Sequence, residues 1–112
     1  LKVVPRYPRS YFEGGMPVDM NDVKRIEAQW GDAAQAMVDG VKAQGGAQGV
    51  TVKAVVAKSD LVAEAVIAAA KKHKCDLIVM ASHGRKGLNK LFVGSETQKV
   101  LAHTELPVMV LR

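Results

Sequence analysis

Residues 76–81, DLIVMA, decide how this chain is read. A continuous apolar run of strand length, set between segments of helical character, marks a strand buried on both faces of a parallel sheet. Upstream, Ser59 or Asp60 stands where a helix N-cap is expected. The helix that follows, to about His73, is acidic at its start and closes on Lys71, Lys72, His73 and Lys74, which suits the helix dipole. Before it, VTVKAVVAK (50–58) alternates. Val50, Val52, Ala54 and Val56 point one way and Thr51 and Lys53 the other, which predicts a strand.

Further upstream, Val23, Ile26, Trp30, Ala33, Met37 and Val41 recur at steps of three and four, a helical face beginning near Asn21. Gly45 and Gly46 are expected to end that helix. LKVV (1–4) predicts a short buried strand closed by Pro5, and the proline- and glycine-rich PRYPRSYFEGGMP predicts a long loop. Downstream, Ser95 opens a short helix, where Ser95 and Gln98 have capping-box spacing. PVMVLR then closes the chain as a strand whose proline stands at its first position, where a missing N–H is tolerated. The order β-α-β-α-β-loop-α-β predicts an α/β fold, an open, mainly parallel sheet with helices on both faces and right-handed crossovers.

The bulk numbers fit one domain. The 112 residues suffice for a single core, and 48% hydrophobic with 24% charged content is that of an ordinary folded domain. The apolar runs are too short to cross a bilayer, and the first residues lack the apolar region of a signal peptide. One cysteine, Cys75, allows no intrachain disulfide, so a cytoplasmic setting is expected. Sixteen basic against eleven acidic residues give +5, but aromatic residues make only 4% and form no base-stacking pattern. Nucleic acid is therefore not the expected partner, nor is a membrane; a small anion is.

The segment after the DLIVMA strand suits that anion. ASHGRKGLNKLFVGSETQK (81–99) leaves the carboxyl end of the strand, where open parallel sheets bind their ligands. Gly84 and Gly94 allow close backbone approach, and Gly94-Ser95 stands at a helix N-terminus, which attracts phosphate. Ser95 serves there either as N-cap or as a phosphate contact. Arg85, Lys86 and Lys90 either neutralise phosphate or are solvated surface charge.

The spacing resembles the universal stress protein family, whose nucleotide-binding members carry Gly-x-x-Gly, nine residues, then Gly-Ser or Gly-Thr. Here Ala81-Ser82-His83-Gly84 is followed by nine residues and Gly94-Ser95. DLIVMASHGRKGL, VLAHTELPVMVL and the opening LKVVP also look like that family. The resemblance implies strand order 3-2-1-4-5 and an ATP- or other adenine-nucleotide-binding module, with or without Mg2+. It also implies a homodimer formed through the last strand, at Val108 and Val110. By position, the backbone near Val3 faces the adenine. Gly84, Gly94 and Ser95 hold the phosphates, Ser82 and His83 stand at the mouth of the site, and Ala81, Arg85, Gly87 and Glu96 complete the cofactor-binding positions.

The chain departs from the pattern in three places. Ala81 replaces the first glycine, which is tolerated if φ stays negative. Glu96 places a carboxylate in the first turn of the helix. The family's opening strand and helix, with its Val-Asp-Gly-Ser-like segment, has no counterpart here, and the order 3-2-1-4-5 then leaves two strand pairs. The expectation is a fragment, or a βα unit of about 30 residues supplied otherwise. These departures favour a rival reading, a dimeric stress-related interaction protein that binds no nucleotide.

Other candidates read as structure. His83 lacks a neighbouring carboxylate, and His103 suits the end of the last helix. His73, Cys75 and His83 match no zinc spacing. Trp30 and Met37 read as core, and Cys75 as a small buried hydrophobe. With no nucleophile–base pair or carboxylate dyad, the chemistry is that of holding a ligand, with at most slow ATP hydrolysis.

Overall fold

A computed structural model describes residues 1–6, 20–82 and 93–111. Its contacts cluster into two compact units, Leu1–Asp60 and Leu61–Arg112, each taken by itself.

In the first unit, β1 (Lys2–Val4) pairs in parallel with β2 (Val56–Lys58), Val3 opposite Ala57, and α1 (Met20–Ala47) packs on both strands. The buried face of α1 is Val23, Ala34 and Val38, with Ile26, Glu27 and Trp30 half-buried. Only the first half of the expected stripe lies on that face. Met37 and Val41 are 40% and 55% exposed. One residue step turns a helix by about 100°, so Ala34 and Val38 replace Ala33 and Met37 at the strands. At 28 residues, α1 also far outruns the three-residue strands beneath it, which leaves Val41 without cover. An ion pair between Glu27 of α1 and Lys58 of β2 crosses the unit.

The helix does not stop at Gly45 and Gly46 but runs through them. Its terminator is Gly49, at φ +76°, with Gly49 N–H donating to Gly46 O (3.1 Å) and Val50 N–H to Gly45 O (2.8 Å). This pair of bonds is the Schellman closure, which needs a left-handed residue at that point. Gly45 has a different task. A Cβ there would stand 2.3 Å from Val52 Cγ2, so the glycine lets the returning chain lie against the helix. Residues 50–55 are not strand; regular pairing begins at Val56.

In the second unit, β3 (Ile78–Ala81) pairs in parallel with β4 (Val108–Leu111), Ile78 opposite Val108 and Ala81 opposite Leu111. Helices α2 (Val62–Lys72) and α3 (Ser95–His103) pack on each other. The core is Ala63, Ala70, Ile78 and Val100, bordered by Val66, Ile67, Met80, Leu106 and Val108. The DLIVMA strand is therefore buried on one face only. Leu77 and Val79 of its other face are 42% and 53% exposed, and Met109 and Leu111 on β4 are exposed by about half as well.

Two details depart from the local reading. The N-cap of α2 is Leu61, whose side chain makes no cap bond, while Asp60 Oδ1, one residue earlier, accepts the Arg6 N–H at 2.9 Å. Cys75 is exposed rather than buried, because it follows the turn that closes α2 on the surface. His103 does lie in the last turn of α3.

The fold is thus α/β with parallel strands in an open arrangement, and the neighbours within each pair are those of the order 3-2 and 4-5.

Candidate functional site

The site grows from the carboxyl end of β3. Ser82 follows the strand, its N–H donating to Leu111 O at 2.7 Å, so the ladder with β4 continues one residue past Ala81. The Gly94 N–H donates back to the Ser82 carbonyl, which ties the two ends of the 83–93 segment together. Thr97, only 3% exposed in the first turn of α3, donates its hydroxyl to the Ala81 carbonyl at 2.9 Å. Strand end and helix start are fixed to each other by these bonds.

What they hold in place is the N-terminus of α3, which has no side-chain cap from its N-cap residue. The N-cap of α3 is Gly94, in extended conformation at φ −60° and ψ 155°, and it has no side chain to cap with. Its carbonyl accepts the first helical bond, from Gln98 N–H at 3.0 Å. The N–H groups of Ser95, Glu96 and Thr97 consequently have no acceptor within the helix. Such groups, with the dipole behind them, favour an anion. The capping box expected from Ser95 and Gln98 is not formed. Ser95 is the first helical residue, and the Gln98 amide donates to Val93 O at 2.7 Å.

Ala81 keeps a negative φ, since Lys74 alone among the described non-glycine residues is positive. Its methyl group therefore sits on ordinary strand backbone. Ser82 is buried and Ser95 exposed. Glu96 is turned toward α2, where its Oε2 lies 3.2 Å from the Ala63 N–H. His83, Gly84, Arg85, Gly87, Lys86 and Lys90 lie outside the described residues, as do Tyr7, Tyr11 and Phe12. Thr97 was the residue sequence reasoning missed. Its only signal was a hydroxyl three residues after the glycine, at a position where a helix's first turn faces the sheet.

Val3 belongs to the first unit. Lys2 N–H donates to Val55 O (3.0 Å) and Val4 O accepts from Ser59 N–H (2.9 Å). Successive backbone groups of an extended chain point to opposite sides, so the Val3 N–H and C=O face the edge of β1 away from β2. The same rule applies to β4. Pro107 O and Leu111 O accept from Ile78 and Ser82, which leaves the backbone groups of Val108 and Val110 facing outward.

A groove of about 260 Å3 lies elsewhere, lined by Ile67, Lys71, Lys74, Cys75 and Leu106, at the amino ends of β3 and β4. Among the described residues no cluster of His, Cys, Asp or Glu could hold a metal ion. No helix among them is long and apolar enough to cross a membrane.

Comparison with known proteins agrees with this architecture. The chain is 46% identical over 50 residues to a universal stress protein of Thermus aquaticus, from the QAH/OAS sulfhydrylase 3' region. It is 36% identical over 50 residues to universal stress protein MJ0531 of Methanocaldococcus jannaschii. Each match takes in 45% of this chain but only 36% and 29% of those relatives' own length. Hypothetical protein MJ0577, whose structure was used for a structure-based assignment of biochemical function, superposes with a TM-score of 0.77 at 20% identity. That superposition covers 97% of this chain and 70% of MJ0577. Hypothetical protein PH0823 superposes at 0.67 and 19% identity, over 96% and 69%. The universal stress protein family model matches residues 3–112. The chain belongs to the universal stress protein family.

Proposed function

We propose that this chain is the adenine-nucleotide-binding part of a cytoplasmic, dimeric regulatory module of the stress response, with ATP, with or without Mg2+, as its ligand. The observation that carries this is the start of α3 beside the carboxyl end of β3, where the N-cap Gly94 has no side chain to cap with and the first three N–H groups have no acceptor within the helix. Those groups and the Ser95 hydroxyl hold the phosphates. The bound nucleotide supplies a charged, exchangeable group that a partner protein can read.

Glu96 favours a second reading, an interaction module without nucleotide, because it adds a negative charge one residue beyond Ser95. Native mass spectrometry with Mg-ATP separates the two. A dimer with one ATP per chain is expected, and a Gly94→Val variant should lose the nucleotide while remaining folded. A folded wild-type chain that carries no nucleotide at millimolar ATP gives the second reading instead.

A further inference from the structure

We infer that the Ser82 hydroxyl donates a hydrogen bond to a phosphate oxygen seated at the start of α3, an inference that rests on the nucleotide reading above. Ser82 and Thr97 are both buried where β3 hands over to α3, at 6% and 3% exposed. Thr97 donates its hydroxyl to the Ala81 carbonyl at 2.9 Å. Ser82 differs. Its N–H donates to Leu111 O and its carbonyl accepts from the Gly94 N–H, but its hydroxyl has no hydrogen-bond partner among the described residues. A hydroxyl removed from water without a partner is a cost that native structures seldom carry without a reason.

Strand geometry fixes the side to which that hydroxyl points. The ladder with β4 runs on through the Ser82 N–H, so the alternation of side chains holds as far as Ser82. Ile78 and Met80 turn to the core formed with α2 and α3, and Ser82, two residues on, takes the same side. Helix α3 starts on that side, tied to this strand end through the Gly94 N–H and the Thr97 hydroxyl. The Ser82 hydroxyl is thus aimed under the first turn of α3, whose Ser95, Glu96 and Thr97 N–H groups have no acceptor within the helix. Donors converge there from two directions, the helix and the strand. That suits a tetrahedral oxyanion, and phosphate is the group of that kind in a nucleotide. By sequence position Ser82 stands at the mouth of the site; buried as it is, it belongs to the floor.

Two substitutions separate a ligand contact from a structural one. Ser82→Ala deletes the hydroxyl, and Ser82→Cys keeps its bulk while leaving only a weak S–H donor. Thermal melts without ligand, and calorimetric titration with Mg-ATP and separately with inorganic phosphate, give the readout. Without ligand both variants should melt at or slightly above wild type, because no protein partner is lost. Affinity for ATP should fall by about ten- to a hundredfold in both, the loss of one hydrogen bond to a charged group. Unchanged ATP affinity in either variant would overturn the inference and leave the nucleotide reading intact. Variants that melt well below wild type before ligand is added would overturn it too, since the hydroxyl would then be holding structure. If the wild type takes up inorganic phosphate but not ATP, and the variants lose it, the contact stands and the nucleotide reading fails. If the wild type binds neither, both fail.

Discussion

Lys74 carries a backbone conformation that glycine would carry at lower cost. It stands at φ 52°, directly after α2, with Lys74 N–H donating to Lys71 O (3.2 Å) and Cys75 N–H to Ala70 O (2.9 Å). This is the same closure that Gly49 makes after α1. The two positions therefore predict opposite effects. Lys74→Gly relieves a left-handed side chain and should stabilise by about 0.5–1 kcal/mol. Gly49→Ala introduces one and should cost about 1 kcal/mol. Urea denaturation of both variants checks the pair, and the same sign for both would refute it. The sequence could not tell which glycine ends α1. Three stand within five residues of one another, at 45, 46 and 49, and only the hydrogen-bond geometry shows which carries the turn.

At the scale of the element, α3 is oriented by its first turn. The Thr97 hydroxyl bonds the Ala81 carbonyl, and both lie where the strand hands over to the helix. Thr97→Val keeps the shape and deletes the donor, leaving that carbonyl without its partner. It should cost about 1–3 kcal/mol and weaken nucleotide binding by loosening the Gly94-Ser95 backbone. Chemical denaturation and ATP titration of this variant test the two effects, and unchanged values in both would remove Thr97 from the site. Much of the element layout was legible in the sequence, because a period near 3.6 marks α1 and an acidic start with a basic end marks α2 whatever surrounds them. The buried face of α1 was less legible. Periodicity carries the stripe on through Ala33, Met37 and Val41, whereas packing on the short strands selected Ala34 and Val38.

At the scale of the whole molecule, β4 offers a route to assembly. The backbone groups of Val108 and Val110 point away from β3, while their side chains are half-buried beside the core. An outward edge of this kind accepts a second strand. Val110→Pro removes an outward N–H and leaves the ladder to β3 without a missing donor. The wild-type chain is expected to run as a dimer in light scattering, and Val110→Pro as a monomer or with dimer affinity at least about tenfold weaker. A variant that dimerises as tightly as wild type would place the interface elsewhere.

By itself, the sequence determined the alternation of strands and helices, the start of the last helix at Gly94-Ser95 and the family. These follow from local periodicity, from glycine's freedom and from a spacing that survives without side-chain detail. The tertiary structure decided what depends on distant partners. It made Gly94 the N-cap of α3, with the backbone held by Ser82 and Thr97. It left one face of β3 uncovered. It also turned Glu96 to the start of α2, thirty-three residues away in the chain. A carboxylate in a helix's first turn has several N–H groups within reach. Which one it satisfies is set by where the other helix ends, and that is a property of packing.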